Sequence, residues 1–366
     1  MRPLGKTGVK VTILNLGTFQ ATGLDRVLRF SFANGVRMFD TAKSYGSEPG
    51  FKRWFQAMPE VRKQLFLVTK DTPREPKELI PMLDQRLANL GVDQIDLFFI
   101  HALGDRDPRA GVEWPKSAEL GRVIEQIKNS GKAKFVGFSS HHRERAAYLQ
   151  SAAEGGFVDA IMLQYTPWLV AESALNRALD ACHAKGIGLI SMKQVAGQYG
   201  GDQAGMDVLK EVERRVPMLK DRGLSPFQGL LQAIWTDERI SACCVSMRNT
   251  DQIRDNAEAA RTFEPIKKAD LERLRDAAIA AGPMLCADCD GRCAQAAGTS
   301  ASLGDVTRFL TYHEHHGCRT EARRQYAALP AAARDWSGAD LAAAREACPN
   351  GLDFATLLPR AERLLS

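Results

Sequence analysis

The 366-residue sequence predicts a parallel (β/α)8 TIM barrel carrying an N-terminal β-hairpin, with an additional helical, cysteine-rich region at its C-terminus. Three observations predict it. Eight short apolar runs lie at residues 13–17, 37–40, 65–69, 97–100, 135–138, 160–163, 188–192 and 242–245. Near-continuous apolar runs of this kind suit parallel strands buried on both faces. Helical patterns separate them, among them residues 79–90, 120–129, 174–184, 227–235 and 250–260, with Gly35, Gly91, Gly131, Gly156 and Gly186 placed where helices should stop. Eight strands alternating with helices over about 250 residues match a barrel in count and length. A doubly wound sheet is the alternative, but Gly17-Thr18-Phe19-Gln20 after the first strand is no G-x-G-x-x-G fingerprint.

Taken in order, residues 4–11 come first and read as a hairpin, with Lys6-Thr7-Gly8 supplying the turn chemistry, placed to close the bottom of the barrel. The eight strands and their helices follow to about residue 260. The connection from 198 to 223 is longer than most barrel loops and is a candidate lid or cofactor cover. Composition then shifts. The last 84 residues contain no lysine, nine arginines against ten acids and five of the eight cysteines. The boundary falls near Gly282-Pro283, giving a barrel over 1–282 and an extension over 283–366. Residues 303–310 and 341–347 read as amphipathic helices that pack the tail against the barrel.

Bulk properties exclude several classes of function. The chain is 45% hydrophobic and 25% charged, as a globular protein is, and no apolar stretch approaches the roughly 18 residues of a membrane helix. A net charge of +5 over this length gives no argument for nucleic acid as a partner. The first six residues hold no apolar leader core, so the cytoplasm is the default location, with export of a chain whose leader has been trimmed as the alternative.

Barrel enzymes draw their catalytic side chains from the C-terminal ends of several strands. Here those ends offer Asp40 after strand two, Tyr45 five residues later, Lys70 ending strand three and His101 ending strand four. Singly, each has a structural reading as a cap, a solvated cation or a bonded core histidine. Together they form a chemical set for carbonyl reduction. A free phenol titrates near pH 10, too high for an efficient acid. An adjacent ammonium lowers it, a carboxylate fixes that ammonium, and an imidazole hydrogen-bonds the substrate oxygen.

With these residues in place the chain resembles the aldo-keto reductases. The resemblance rests on Leu4-Gly5-Lys6-Thr7-Gly8, Phe39-Asp40-Thr41-Ala42, Tyr45-Gly46-Ser47-Glu48, Val68-Thr69-Lys70 and residues 96–101 ending in His101. Residues 136–139, Gln164, residues 245–249, Gln252 and Asn256 continue it, and it spans about residues 2–260. It implies that Tyr45 is the proton donor, with Asp40, Lys70 and His101 completing a tetrad. It also implies a nicotinamide dinucleotide, NADP or NAD, and a small-molecule carbonyl or alcohol, sugar-like in one reading. The cofactor-binding positions so implied are Ser139, Ser140, Gln164, Met192, Lys193, Ser246, Met247, Arg248, Gln252 and Asn256. Several depart from the family's pattern. Ser139 is followed by Ser140 instead of asparagine, and strand seven ends Ser191-Met192-Lys193 in place of a stacking tyrosine. Ser246 and Gln252 occupy the places where NADPH-preferring members carry lysine and arginine, and the usual glycine or Pro-Gly turn near 246 is missing. The NAD/NADP choice stays open. Phe19, Trp54, Trp114 and Trp168 fall on or near mouth loops, where aromatics either stack on a substrate or pack loops onto the rim.

In the tail, Cys286-x2-Cys289-x3-Cys293, with Cys348-Pro349 after 54 intervening residues, is a candidate metal set. Four thiolates suit a [4Fe–4S] cluster or structural zinc, and a degenerate motif binding nothing is the third reading. The Cys-Pro ending resembles ferredoxin-type motifs and a bacterial subgroup of the same reductases. Cys318 with His313, His315 and His316 forms a second cluster, either substitute ligands or a solvated helix end, whereas Cys182, Cys243 and Cys244 read as core. Three functions therefore stand: a reductase, a nicotinamide-sensing regulatory subunit with little turnover, and an electron-transfer protein passing electrons from a tail cluster to a redox partner.

Overall fold

The computed structural model describes residues 1–19, 21–142, 144–165, 167, 173–194, 212–280, 286, 291–314, 319–348 and 351–366. They group into two compact units, one of Met1–Gln164, Ala174–Lys193 and Ile234–Pro265, the other of Tyr165–Ser173, Gln194–Ala233 and Ile266–Ser366. Much of the candidate lid at 198–223 lies outside the described residues.

The first unit contains a two-stranded antiparallel sheet, β1 (Arg2–Pro3) and β2 (Lys10–Val11), and a closed barrel. The barrel strands are β3 (Leu14–Gly17), β4 (Met38–Asp40), β5 (Phe66–Asp71), β6 (Ile95–Ile100), β7 (Ala133–Ser140), β8 (Ala160–Gln164), β9 (Gly188–Met192) and β10 (Ile240–Ser246). They follow chain order, with β10 returning to pair in parallel with β3. All eight coincide with the apolar runs in the sequence, and the helices Leu79–Leu90 and Ala174–Ala184 match the expected stretches residue for residue.

Side chains alternate along a strand, so every second residue enters the barrel. The interior cluster includes Met38, Phe66, Val68, Leu97, Phe99, Ala160, Met162, Ile190 and Ala242. Leu4 and Val11 from the hairpin join it and seal the N-terminal end. Continuing the same alternation toward the C-terminal ends reaches positions 40, 70, 101, 139, 164, 192 and 244. One periodicity therefore builds the core and aims the candidate residues into the mouth.

Gly5 is what lets the hairpin close. Its φ is +53°, and a Cβ there would lie 2.1 Å from the Gly186 carbonyl oxygen and 2.5 Å from the Gly188 nitrogen. Gly5→Ala is expected to cost about 2 kcal/mol or more, because rigid backbone has to move and a left-handed conformation is imposed on a Cβ. A lower urea midpoint with unchanged slope would register it; an unchanged midpoint would contradict it.

The second unit is helical. Leu303–Glu314 packs against Arg319–Ala327 and Phe354–Leu365, and Arg292–Ala296 packs against Leu341–Ala347. Their shared apolar cluster includes Leu303, Phe309, Tyr326, Phe354 and Leu358. Leu303–Glu314 is not the amphipathic helix expected from its sequence. Asp305, Thr307, Arg308 and His313 are buried along with its apolar residues. The charges are tolerated because Arg308 and Asp305 pair at 2.5 Å, one helical turn apart. Among the described residues no helix is long and apolar enough to cross a membrane.

Candidate active site

Asp40 ends β4 and Lys70 lies one residue before the end of β5, both almost wholly buried. Lys70 Nζ donates to Asp40 Oδ2 at 2.5 Å and to the Thr41 carbonyl at 3.0 Å. Tyr45 sits in the short 3-10 turn Lys43–Tyr45, and its ring lies 4.9 Å from Lys70 Nζ. His101 follows β6, its backbone N–H continuing the ladder to the Asp71 carbonyl. The His101 ring meets Tyr45 edge-on at 5.6 Å between centroids. The four residues expected to act together are thus together, with Tyr45 and His101 only half-buried.

Burial dominates the electrostatics. It pushes the Tyr45 phenol up to about 12, although Lys70 pulls the other way. The expectation of a net lowering is therefore corrected: Lys70 does stabilise the phenolate, but desolvation outweighs it. Burial also opposes the Lys70 charge, yet Asp40, Tyr45 and Cys244 together hold the ammonium above its ordinary value. For His101, burial first, then Lys70 and Lys193, push the imidazole down to about 3, so it is neutral. A neutral imidazole still has one N–H to donate.

Two hydrogen-bonded layers hold this set. The Thr18 hydroxyl donates to the Asp40 carbonyl, and Thr18 and Thr41 both meet the Ser47 hydroxyl, at 2.8 and 2.6 Å. Just outside, Glu48 accepts from Thr69 at 2.8 Å, from Arg86 at 2.9 Å and from Asn89 at 3.3 Å. Arg86 also pairs with Asp71 at 3.4 Å. Sequence reasoning gave Arg86 no role, since a lone arginine on a helix carries no signal.

Cys244 packs on the interior core cluster, as its sequence predicts, and it also stands beside Asp40. It lies two residues beyond interior Ala242, near enough to the Asp40 carboxyl for each to affect the other's titration. Burial, then Asp40, push that thiol well above its ordinary value, so it is neutral. The alternation of β10 was the available signal.

The cofactor candidates divide. Gln164 and Ser139 are buried interior positions at the ends of β8 and β7, and Met192 packs partly buried on the interior cluster. The Ser139 hydroxyl accepts from the Ala102 N–H at 3.0 Å and keeps its own proton to donate. Ser140 has the opposite parity. Its hydroxyl donates to the Leu103 carbonyl at 2.9 Å and accepts from the His142 N–H at 3.3 Å, so it is occupied with the loops after β6 and β7. At the end of β10, Ser246 and Arg248 are exposed and Met247 is buried. Gln252 and Asn249 cap the following helix, Thr250–Arg261. The Gln252 N–H donates to Asn249 Oδ1 at 2.9 Å, and Gln252 Oε1 accepts from the Arg248 N–H at 2.8 Å. Asn256 is half-buried one turn further. An exposed arginine beside a capped helix N-terminus suits a phosphate.

Of the four aromatics, Phe19 is exposed and packs edge-on to Tyr45 at 5.2 Å, which places it at the mouth. Trp54 is corrected: it is fully buried on the helix Glu48–Ala57 against Phe39, Phe51 and Phe55. Trp114 is half-buried in the turn Trp114–Lys116, and Trp168 lies outside the described residues.

In the tail, Cys289, Cys318, His315 and His316 lie outside the described residues. Cys293 is buried, and Cys286 and Cys348 pack on the same apolar cluster. Among the described residues no three His, Cys, Asp or Glu side chains are grouped so as to hold a metal. Cys286, Cys293 and Cys348 therefore do not form a ligand set by themselves.

Comparison with known proteins agrees with the barrel geometry. A model of the Aldo/keto reductase family matches residues 14–279. The chain is 24% identical to L-galactose dehydrogenase of Arabidopsis thaliana, over 73% of this chain and 89% of that protein. It is 24% identical to L-glyceraldehyde 3-phosphate reductase of Escherichia coli O157:H7, covering 74% and 91%. It is 25% identical to mouse (Mus musculus) aldo-keto reductase family 1 member A1, covering 73% and 87%.

Proposed function

The chain belongs to the aldo/keto reductase family, and from that premise we propose that it interconverts a small, sugar-like carbonyl and its alcohol using NADP or NAD, with Tyr45 as proton donor. The observation that carries this reading is the Lys70–Asp40 pair beneath the Tyr45 ring, with a neutral His101 at its edge. The sugar-like class is supported by two relatives whose names refer to L-galactose and L-glyceraldehyde 3-phosphate.

When bound, the reduced nicotinamide supplies a hydride to the carbonyl carbon. Tyr45 Oη donates its proton to the carbonyl oxygen as that oxygen becomes an alkoxide. The resulting phenolate is stabilised by the Lys70 ammonium, which Asp40 holds in its charged form. His101 donates a hydrogen bond to the same oxygen, and the neutral ring avoids placing a third charge in the site. Ser139, Gln164, Met192 and Lys193 are proposed to line the nicotinamide end. Ser246, Met247, Arg248, Gln252 and Asn256 would hold the phosphates and adenosine, and Ser140 would contribute by fixing the loop. We also propose 1–282 as the reductase body and 283–366 as an extension, since the family match ends at 279, and the cytoplasm as its location.

Oxidation of NADPH or NADH by the purified chain with a panel of small aldehydes tests this reading; no oxidation with either cofactor would sink it. The pH profile is a sharper check. Tyr45 acts in its protonated form, so reduction is maximal below its pKa and falls as pH rises through it. With the phenol near 12 and the imidazole near 3, the rate attributable to chemistry should be flat through neutrality. A step near the ordinary histidine pKa of about 6.5 would contradict the neutral His101.

A thiolate-bound cluster in the extension is the second reading. It is supported by the sequence spacing Cys286-x2-Cys289-x3-Cys293 with Cys348-Pro349. Roughly four irons per chain with thiolate-iron absorption, after anaerobic purification, is its expected result and would make a redox partner worth seeking. Stoichiometric zinc would make the tail a structural clip, and absence of both would end the metal reading.

A further inference from the structure

Asp71 is a buried carboxylate next to Lys70 that the proposed reaction does not use. It ends β5, and because side chains alternate along a strand it faces outward where Lys70 faces the barrel interior. Its Oδ1 accepts the Thr72 N–H at 2.8 Å and lies 3.5 Å from Lys43 Nζ, while Oδ2 lies 3.4 Å from Arg86 Nε. Its carbonyl accepts the His101 N–H at 2.8 Å.

Lys43 opens the 3-10 turn that ends in Tyr45. The end of β5 therefore grips that turn from both sides of the barrel wall. On the inside, Lys70 lies under the Tyr45 ring and donates to the Thr41 carbonyl. On the outside, Asp71 holds Lys43. The far end of the same segment is tied to the same place, since Glu48 accepts from Arg86 at 2.9 Å and Arg86 meets Asp71. Residues 43–48 are thus fastened at both ends around one buried carboxylate, with Tyr45 between them. The Lys43 side chain is 52% exposed. A pair with one exposed partner adds little to stability, so its consequence lies in restraining the turn.

We propose that Asp71 is a positioning residue for proton transfer. Through Lys43 its carboxylate sets the turn carrying Tyr45, and through its carbonyl it sets His101. The phenol and the imidazole that meet one substrate oxygen are thereby registered to a single residue. The inference rests on the reading that Tyr45 and His101 act on that oxygen. Their two hydrogen bonds must converge on one atom, and a displacement of about 1 Å in such a group can cost as much as ~100-fold in rate. Neither Asp71 nor Lys43 is required to touch the substrate.

A double-mutant cycle against Tyr45 tests the proposal on the full chain. The readout is single-turnover oxidation of bound NADPH or NADH by an aldehyde that the unaltered protein reduces. Lys43→Met should slow that step about threefold or more, Asp71→Asn should slow it similarly, and Lys43→Arg should largely retain the rate. Combining Lys43→Met with Asp71→Asn should add little to either, because both break the same pair. In a Tyr45→Phe background, Lys43→Met should change the residual rate by less than about twofold, since the phenol whose position it disturbs is gone. A merely structural role would lower the rate equally in both backgrounds. Lys43 is exposed, so its variants decide the matter if Asp71→Asn fails to fold. A fall smaller than about threefold in Lys43→Met, or a fall of the same size with Tyr45→Phe, overturns the proposal. If the unaltered protein reduces aldehydes and Lys43→Met matches it, only the role of Asp71 is lost. If the unaltered protein reduces none, the reductase reading falls with it.

Discussion

Tyr45→Phe is expected to lower kcat for carbonyl reduction by about 10³-fold, within the range that a positioned general acid contributes. The substitution removes one oxygen and leaves the ring, so the contacts of Tyr45 with Phe19 and His101 and its position over Lys70 should persist. Cofactor affinity and unfolding midpoint should therefore change little while turnover collapses. This separates the enzyme from a nicotinamide-sensing subunit, in which loss of the phenol would change nothing measurable. Retention of more than about a tenth of the rate would mean that another group or water delivers the proton, and the role of Tyr45 would have to be abandoned.

The second large effect concerns stability. Arg86→Leu leaves Glu48 and Asp71, both buried, without the guanidinium that bonds the first and pairs with the second. Removing one partner from a buried charge pair typically costs about 3–5 kcal/mol. The pH dependence follows from the direction of the Glu48 shift. Burial raises its carboxyl above the ordinary value, while Thr69 and Arg86 oppose the rise. A raised carboxyl makes the folded state bind protons more tightly than the unfolded state, so stability falls as pH rises through that window. Without Arg86 the carboxyl should rise further. The loss should accordingly be largest above neutrality and shrink toward the acid side, as Glu48 takes up a proton. Urea midpoints across pH would register this, and a loss independent of pH would show that packing, rather than charge, dominates at Arg86.

Much of the fold was legible because parallel strands announce themselves locally. Residues 65–69 and 160–163 are apolar runs whatever surrounds them, and Gly91 stops its helix at the expected place in a left-handed conformation. The tetrad was legible for a related reason. Asp40, Lys70 and His101 are ionisable residues at the ends of apolar runs, where a barrel must open to solvent. Trp54 lies away from the mouth because the helical periodicity of Glu48–Ala57 turns it into the core. The stretch 303–310 is buried rather than amphipathic because Asp305 and Arg308, each polar in isolation, neutralise one another one turn apart.

Local sequence alone sets the order of strands and helices, the parity that sends Asp40, Lys70 and His101 into one mouth, and the chemistry those groups share. Packing in three dimensions brings together side chains distant in the chain: Cys244 beside Asp40, and Arg86 between Glu48 and Asp71. It also decided the sign of the Tyr45 shift. A side chain's identity fixes its charge and hydrogen-bonding groups, but its desolvation and its neighbours' fields depend on three-dimensional distance, which no local stretch of sequence contains.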